Sequence, residues 1–510
     1  MSATRIRAGL ADAPTEVDVL VVGLGVTGAG CALDAVSRGL SVLAVDAHDV
    51  AFGTSRWSSK LVHGGLRYLA NGQVGVAHES AVERGILMEV TAPHLTHALP
   101  MLLPLGHAIG RRQAAFLRAG IGAGDLLRIA ARTSVETLPR PRRISATESR
   151  HLAPVLGPDV RGGILSWDGQ LEDDARLVTT IARTATGMGA EVRTRSRALA
   201  LHGRGATLRD ELTGETHEVT ARAVVNAAGV WAGDLVDHVE LRPSRGTHLV
   251  LRTLPGLGVA LTLPVPGQRN RFLNVVPQQD GLVYVGLTDV PVQGAAPDVP
   301  EPSEAEIDFL LATASAGLAE ALTRADVVGT YAGLRPLLRA GGRTSDLSRR
   351  HAVLTSSTGV VTVVGGKLTT YRRMAQDAVD AAVAQAGLDA RPCVTAHLPL
   401  AGAAPREELT RFAGESPSPR LVRRFGTDAG LVLATARGVS DLTDDELLEP
   451  VADGLAVTLA ELLFGVTHEG AHDVGDLLDR RTRVGLVPHD RALAEPAAHR
   501  AFTLANSRVR

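Results

Sequence analysis

The chain carries only two lysines among its 53 basic residues, Lys60 and Lys367. Lysine is a compact ammonium on a flexible stem with a tunable pKa, so a sequence that otherwise uses arginine should keep lysine where that difference matters. Both lysines lie in unusual local sequences. Residues 54–68 concentrate hydroxyls, a histidine and a double glycine, and residues 365–371 begin with two glycines. We therefore expect functional roles for both ammonium groups, with chance retention of the two lysines as the alternative.

Arginine and histidine side chains lie in the same kind of glycine-rich or polar segment, and their chemistry would suit a small anionic molecule such as a phosphate monoester. A guanidinium fork binds a phosphate monoester through two hydrogen bonds, so Arg67, Arg335 and Arg349 are candidate ligands. His63 is the candidate proton acceptor, because imidazole titrates in the right range and neighbouring glycines leave room for a substrate. A bound arginine or Lys367 could assist alkoxide formation instead, and His63 could be a hydrogen-bonded structural group.

The element that would position this chemistry is a βαβ unit at the N-terminus. A β-branched strand at 17–22 leads into the turn Gly23-Leu24-Gly25-Val26-Thr27-Gly28, a small-residue helix at 29–38 and a second apolar run at 40–45 that ends at Asp46. This order is typical of dinucleotide binding: the glycines allow close approach of the pyrophosphate, the helix N-terminus favours anions and Asp46 can accept ribose hydroxyls. A purely structural glycine turn is the alternative.

Further along, the pattern predicts a second α/β section and an antiparallel sheet. A helix at 175–186 leads to a strand at 191–193, and a strand at 223–225 opens onto small residues. The remaining predicted elements are alternating strands at 248–251, 274–276 and 282–285, a strand at 360–364 running into a helix at 368–386, and a helical region at 407–483.

Composition excludes several classes of protein. The 510 residues are 45% hydrophobic and 21% charged, without an apolar run long enough for a membrane-spanning helix or a signal-peptide core, so we expect a cytoplasmic protein. A net charge of −2 argues against binding of nucleic acid. Only two cysteines, Cys31 and Cys393, exclude a disulfide framework and four-cysteine zinc or iron–sulfur sites.

Several linked motifs, in this order, resemble the flavin-dependent glycerol-3-phosphate dehydrogenase family. The resemblance covers most of residues 17–390, and residues 476–482 resemble the helical cap of that family. Besides the βαβ opening, the matching stretches are 58–68, 173–176, 226–231, 245–248, 286–289, 333–336 and 365–371.

This resemblance implies an FAD enzyme that oxidises sn-glycerol 3-phosphate to dihydroxyacetone phosphate and passes electrons to a quinone or similar acceptor. An oxidase of the same family, which reduces oxygen to hydrogen peroxide, is the nearest alternative. The implied fold is a Rossmann-like FAD-binding domain (parts 17–105, 160–245 and 325–390), an antiparallel-sheet substrate domain (246–324) and a C-terminal helical cap (391–510). A membrane surface and a second copy of the chain are further candidate partners.

The resemblance also assigns site residues. Lys367, at the start of a helix, would stabilise negative charge on the reduced flavin ring. The predicted catalytic set is His63, Arg67, Arg335, Arg349 and Lys367. The predicted cofactor contacts are Gly23, Gly25, Gly28, Asp46, Thr54, Ser55, Ser58, Lys60, Leu61, Ala227, Gly229, Gly366, Leu368 and Thr369, with turn capping as the alternative role for the residues at 54–61.

One pattern in the C-terminal region resembles a zinc site. His468-Glu469-Gly470-Ala471-His472 matches the H-E-x-x-H zinc pattern, but the glycine weakens a helix there and no third ligand is marked out, so no metal is predicted.

The basic, partly apolar stretch 111–132 can lie on the inner face of the cytoplasmic membrane or pack within a domain. A flavin-binding module without turnover is the non-enzymatic alternative.

Overall fold

A computed structural model describes residues 5–65, 72–106, 111–252, 254–268, 271–338 and 351–507. The described strands are β1 (Arg7–Ala8), β2 (Glu16–Val22), β3 (Val42–Val45), β4 (Leu61–Val62), β5 (Thr96–Pro104), β6 (Arg142–Ser145), β7 (Gly162–Leu171), β8 (Glu191–Thr194), β9 (Ser196–His202), β10 (Gly205–Asp210), β11 (Thr216–Asn226), β12 (Ser244–Arg252), β13 (Ala260–Pro264), β14 (Phe272–Pro277), β15 (Leu282–Gly286), β16 (Val290–Pro291), β17 (Val327–Arg335), β18 (Ala352–Thr355) and β19 (Val361–Val364). The described α-helices are α1 (Val26–Ser37), α2 (Val74–Ile86), α3 (Arg111–Ala130), α4 (Ala146–Leu152), α5 (Asp174–Gly187), α6 (Glu304–Ser315), α7 (Tyr371–Ala386), α8 (Arg406–Glu415), α9 (Pro419–Phe425), α10 (Ala429–Val439), α11 (Asp444–Leu448), α12 (Leu459–Thr467) and α13 (Pro488–Ser507).

Nine of the described strands form a first sheet around the predicted βαβ unit. The order is β1-β8-β3-β2-β11-β10-β9, with β19 beside β11 and β18 beside β19. β2, β3, β8, β11 and β19 pair in parallel. Every residue of β3 is buried, as expected for a strand covered on both faces, and α1, α5 and α7 pack into the same apolar core. The carboxyl ends of these parallel strands therefore lie along the same edge of the first sheet.

Ten of the described strands form a second, mainly antiparallel sheet. The order is β16-β12-β15-β14-β13-β5-β7-β4, with β17 beside β12 and β6 beside β7. The alternating runs predicted at 248–251, 274–276 and 282–285 are β12, β14 and β15, which pair antiparallel. The sheet extends beyond 246–324, because β4–β7 come from earlier in the chain and β17 from later.

The C-terminal region is a separate helical domain. Helices α8–α13 enclose their own apolar core, which includes Val432, Leu463 and Phe464. Together with the two sheets, this domain confirms the predicted mixed α/β architecture with a C-terminal helical cap. A cap with its own core can be anchored to the rest of the chain through a limited number of polar contacts.

Buried ion pairs anchor the cap beneath the first sheet. Arg176, from the segment 173–176, binds Glu469 with Nη2 2.9 Å from Oε2. Arg481 binds both carboxylate oxygens of Asp49 at 2.8 Å. Burial opposes ionisation of Asp49, but the arginine charges outweigh it and lower the pKa of that carboxyl. Arg176 Nη2 also donates to the carbonyl of Arg481 at 3.0 Å, so the stretches 173–176 and 476–482 of the family resemblance meet at the interface with the cap.

The zinc-like pattern at 468–472 belongs to that interface. Its glutamate, Glu469, is committed to the ion pair with Arg176, and the ring of His468 stacks on Phe464 at 4.7 Å. The described residues contain no group of three or more side chains placed to ligate one metal ion. The pattern therefore has a structural role here.

Helix α3 packs against the second sheet. Leu117 and Ile121 pack with Leu103 on β5, whereas Leu126 and Ile129 on the same helix are 67% and 52% exposed. In the part of the chain that the model describes, no helix is both long and apolar enough to cross a membrane. One side of α3 is therefore packed against the protein, and the other side exposes some apolar residues to solvent.

Candidate active site

A cavity of about 1670 Å³ lies between the two sheets. One wall contains residues that directly follow four parallel strands: Gly23 after β2, Asp46 after β3, Ala227 after β11 and Gly365 after β19. Ligands of open α/β sheets bind at such carboxyl ends. The volume is larger than that of a typical pocket for one small molecule, so it can accommodate a dinucleotide with a small substrate beside it.

The opposite wall belongs to the second sheet. Met101 on β5, Asp168 on β7 and Asn274 on β14 line it, with Leu117 and Ile121 of α3 at one side. The cavity is therefore bounded by the nucleotide-binding edge of one sheet and the face of the other. A substrate between them would be shielded from bulk water on both sides.

The glycine turn between β2 and α1 requires glycine at two of its positions, Gly23 and Gly28. Gly23 has a φ of +102°, and a Cβ there would lie 2.5 Å from the carbonyl oxygen of Ala227. A Cβ at Gly28 would overlap the carbonyl oxygen of Gly23. Gly25 caps α1 with extended backbone and lines the cavity. The helix N-terminus thus faces the cavity without obstruction, which suits a pyrophosphate.

Asp46 is held rigidly at the end of β3. Its Oδ2 accepts the backbone N–H of Leu24 at 2.7 Å, and its Oδ1 accepts that of His48 at 2.8 Å. Burial raises the pKa of Asp46, although these two hydrogen bonds act in the opposite direction. The carboxylate lines the cavity beside the glycine turn, where the sequence predicted a ribose contact.

The segment after β3 runs along the cavity wall. Thr54, Ser55, Ser58 and Leu61 all line it. Thr54 Oγ1 donates to the carbonyl of Leu334 at 2.6 Å, and Ser55 Oγ accepts the first N–H of α1 at 2.8 Å. Both hydrogen bonds join parts of the chain that are distant in sequence, so they are not the local turn capping considered as an alternative, and the same residues line the cavity.

Lys60 is placed differently from the other predicted cofactor contacts. It does not line the cavity, and its Nζ is buried 2.7 Å from Asp174 Oδ2 and 3.0 Å from the carbonyl of Arg56. Burial, with the nearby charge of Arg483, lowers the pKa of Lys60 to about 8. Its ammonium supports the wall segment from behind, so the predicted side-chain contact with the cofactor does not fit this placement.

A second glycine loop closes the nucleotide end. Gly365 and Gly366 have φ angles of +79° and +74° between β19 and a short helical turn, Leu368–Thr370, that precedes α7. Gly366, Lys367, Leu368 and Thr369 line the cavity. Ala227 and Gly229, after β11, line it as well. The predicted cofactor residues from three separate parts of the chain are thus brought together.

The predicted catalytic residues converge in part. His63, Arg335 and Lys367 line the one cavity. Arg67 and Arg349 lie outside the described residues. A histidine, a guanidinium and an ammonium around one cavity supply a candidate proton acceptor and positive charge for an anionic substrate.

Arg335 is held from behind, which leaves its guanidinium fixed at the cavity. It ends β17, and its side chain is only 17% exposed. Nη2 donates to the carbonyl of Thr288 at 3.2 Å, and Nη1 lies 3.4 Å from Asp289 Oδ1. An arginine held in this way loses little further entropy when it binds a phosphate oxygen.

Sequence reasoning missed His248 as a site residue. It lies on β12, buried and lining the cavity, with Nε2 2.8 Å from Ser59 Oγ and its ring stacked on Tyr331 at 4.6 Å. Burial, helped by the charges of Lys60 and Arg335, lowers the pKa of His248 to about 3. The motif at 245–248 was recognised, but nothing local assigned its histidine to the cavity.

Asp168 is a second residue that sequence reasoning missed. It lines the cavity from β7, where its Oδ1 accepts Arg84 Nη1 at 2.6 Å and the backbone N–H of Gly64 at 3.2 Å. The carboxylate thereby fixes the backbone immediately after His63. No motif surrounds Asp168 in the sequence, so no signal marked it.

The residues present fit FAD. Gly23 and Gly28 form the cradle, because a Cβ added at either position would collide with backbone atoms. The N-terminus of α1 offers backbone N–H donors to a pyrophosphate. Asp46 supplies the acceptor for a ribose, and Lys367 supplies a cation at the other glycine loop. This donor set matches an extended anionic dinucleotide.

Comparisons with known proteins agree with this geometry. The family model described as FAD dependent oxidoreductase matches residues 18–372. A second model, described as the C-terminal domain of alpha-glycerophosphate oxidase, matches residues 393–507. The two models together span both the cavity and the helical cap.

Individual relatives point the same way. Glycerol-3-phosphate dehydrogenase 1 of Mycobacterium tuberculosis is 52% identical over 483 residues, which covers 93% of this chain and 92% of that protein. Glycerol-3-phosphate dehydrogenase of Mycobacterium leprae is 36% identical over 498 residues, covering 93% and 82%.

Solved structures share the fold. The glycerol-3-phosphate dehydrogenase from Bacillus halodurans, complexed with FAD, matches with a TM-score of 0.74 and 27% identity over 98% of this chain and 95% of that one. An L-alpha-glycerophosphate oxidase from Mycoplasma pneumoniae with FAD bound matches in fold alone, with a TM-score of 0.56 and 17% identity over 76% and 99%. The chain belongs to the FAD-dependent glycerol-3-phosphate dehydrogenase family.

Proposed function

We propose that this chain oxidises sn-glycerol 3-phosphate to dihydroxyacetone phosphate, with the C2 hydride and the hydroxyl proton leaving separately. The single observation that carries the proposal is the convergence of His63, Arg335 and Lys367 on the cavity that also contains the dinucleotide turn. Nucleotide binding and recognition of a small anion thus belong to one site. The related proteins named as glycerol-3-phosphate dehydrogenases support this choice of anion.

Recognition of the phosphate is assigned to arginine. Arg335 presents a fixed, mostly buried guanidinium, which suits a dianionic phosphate better than a mobile surface charge. Arg67 and Arg349 are proposed as further ligands on the family resemblance alone. Unphosphorylated glycerol would lack these contacts and should be a poor substrate.

Oxidation needs an acceptor for hydride, an acceptor for the hydroxyl proton and a stabiliser of the resulting negative charge. Bound FAD supplies the hydride acceptor. Lys367 places an ammonium on the cavity wall, next to the N-terminus of the helical turn Leu368–Thr370, and is proposed to stabilise the reduced cofactor.

His63 is proposed as the proton acceptor. His248 is the second candidate, because it also lines the cavity and remains neutral at physiological pH. Its low pKa makes it a weak base, however, and a general base works best with a pKa near the working pH. We therefore assign His248 to hydrogen bonding of substrate and His63 to proton transfer.

A quinone is proposed as the electron acceptor, with oxygen as the alternative. The solvent side of α3, with Leu126 and Ile129 exposed, supports peripheral contact with the inner face of a membrane, where a lipid-soluble acceptor resides. Hydrogen peroxide formation in air, without reduction of an added quinone, would instead favour the oxidase.

Isotopic substitution tests the proposed reaction directly. Substrate carrying deuterium at C2 should reduce the enzyme-bound flavin more slowly than unlabelled substrate, while deuterium at C1 or C3 should leave the rate unchanged. Dihydroxyacetone phosphate should accumulate in equal amount to reduced acceptor. A rate that is insensitive to the label at C2 together with no dihydroxyacetone phosphate would exclude the proposed oxidation.

A further inference from the structure

We propose that Ser80 is a positioning residue whose hydroxyl oxygen fixes the ammonium of Lys367 at the cavity wall. Ser80 lies on α2, is fully buried and does not line the cavity. Lys367 Nζ donates to Ser80 Oγ at 2.5 Å across 287 residues of sequence. The consequence for catalysis rests on the proposed function of Lys367, whereas the contact itself can be tested separately.

The hydroxyl of Ser80 has its single proton already committed. Ser80 Oγ donates to the carbonyl of Val76, one turn earlier in α2, at 2.7 Å. A serine hydroxyl has one donor and two acceptor lone pairs, so it faces Lys367 with a lone pair. An ammonium donates a stronger, charge-assisted hydrogen bond to that lone pair than a neutral amine does, and the contact therefore favours the charged form of Lys367.

Helix α2 is connected by ion pairs to α7, which follows the loop of Lys367, and to β7 in the cavity wall. Glu83 on α2 forms a two-point ion pair with Arg372 on α7, at 2.8 and 2.5 Å. Arg84, the next residue, binds Asp168 on β7 at 2.6 Å. These contacts set the position of Ser80 relative to the loop that carries Lys367.

Two residues of α2, Ser80 and Arg84, lie against three residues of the candidate site, Lys367, Asp168 and Gly64. Ser80 contacts Lys367, Arg84 contacts Asp168, and a Cβ added at Gly64 would meet the Arg84 guanidinium at 2.6 Å. Residues four apart on a helix share a face, so Ser80 and Arg84 lie on one face of α2, and this face supports the cavity wall from behind.

Substitution of Ser80 should therefore act through Lys367. In the holoenzyme, Ser80→Ala should slow flavin reduction by the substrate about tenfold, since a hydrogen bond to a charged group is lost. Ser80→Thr keeps the hydroxyl and should recover most of the rate. Ser149→Ala is the matched control, because Ser149 is also fully buried and its hydroxyl also donates one helical turn back, to Ser145, at 2.8 Å.

The scarcity of lysine gives a readout that does not depend on turnover. Holoenzyme labelled with ¹³C at lysine Cε should show two lysine environments, assigned with Lys367→Arg. Loss of the acceptor in Ser80→Ala should move the titration midpoint of the Lys367 signal to lower pH by about one unit. The Lys60 signal, and both signals in Ser149→Ala, should remain as in the parent.

A Lys367 signal that titrates identically in Ser80→Ala and the parent would overturn the proposal. Equal slowing of flavin reduction by Ser80→Ala and Ser149→Ala would overturn it too, since a general packing defect would then explain both. Failure of the proposed function looks different: glycerol 3-phosphate would not reduce the parent holoenzyme at all, while the lysine titration would still decide the role of Ser80.

Discussion

The two ends of the cavity are built in different ways. At the nucleotide end, Gly23, Gly25 and Gly28 follow one another in a single turn, and backbone geometry makes the site. At the substrate end, His63, Arg335 and other side chains come from distant parts of the chain and depend on buried contacts behind them. A site made of backbone tolerates almost no change of residue, whereas a site made of side chains should lose function one group at a time.

The most severe way to test this contrast is a single methyl group in the turn. Gly28→Ala should abolish flavin binding, because its Cβ would overlap the carbonyl oxygen of Gly23 and the turn would have to open. Purified protein should lack flavin absorbance. Gly430→Ala, in α10 with no heavy atom within 4 Å of the added Cβ, is the control and should purify with full flavin content. A flavin-replete Gly28→Ala enzyme would mean that the turn is not the cradle.

At the substrate end, the largest effect should come from the proton acceptor. His63→Ala should slow flavin reduction about 10³-fold while changing substrate affinity far less, as general base catalysis typically contributes on this scale. Rapid-reaction absorbance measurements separate the two quantities. Exposed His202→Ala on β9 is the control. Unchanged reduction in His63→Ala would transfer the proton-acceptor role to His248 or to a positively charged neighbour.

Removal of the phosphate ligand should have a smaller effect. Arg335→Ala should lower kcat/KM about 100-fold, mainly through KM, and should leave the flavin bound, because a charge-assisted hydrogen bond to phosphate is lost. Arg324→Ala, whose side chain is about half exposed, should behave as the parent. Parent-like kinetics in Arg335→Ala would remove Arg335 from phosphate recognition.

The smallest expected effect is on the thermal stability of the protein at acid pH. His248 has a pKa of about 3 in the folded protein against an ordinary value of 6.5, so only the unfolded chain takes up this proton between those two pH values. Its contribution to stability is present above pH 6.5 and is lost as the pH falls toward 3. His248→Gln should therefore reduce the drop in Tm between pH 7.5 and 5 by about 2 °C. The exposed-site variant His202→Gln should show the same drop as the parent, and a His248→Gln profile identical to both would contradict the buried neutral state.

The nucleotide end could be predicted from the sequence better than the substrate end, for the same reason that the two ends are built differently. The βαβ unit is encoded within one short stretch, so strand, turn and acidic residue were all predicted near their observed positions. The helix starts at Val26, three residues before the predicted start, because Gly25 itself acts as the cap. Local patterns suffice where the backbone makes the site.

Long-range contacts account for what sequence reasoning could not supply. The rarity of lysine drew attention to Lys60, but its partner Asp174 is 114 residues away and holds the ammonium in the interior. His248 becomes a cavity residue only when β12 packs against β17 and the segment containing Ser59. Asp168 has no motif at all, since its role comes from the approach of Arg84.

The most direct test of the central claim is the visible spectrum of the anaerobic holoenzyme before and after addition of sn-glycerol 3-phosphate, with glycerol as the control. The account predicts that the phosphate ester bleaches the oxidised flavin band and that glycerol does not, with dihydroxyacetone phosphate formed in equal amount to the flavin. A flavin that stays oxidised in the presence of saturating sn-glycerol 3-phosphate would contradict the account, because the cavity would then bind the cofactor without oxidising this substrate.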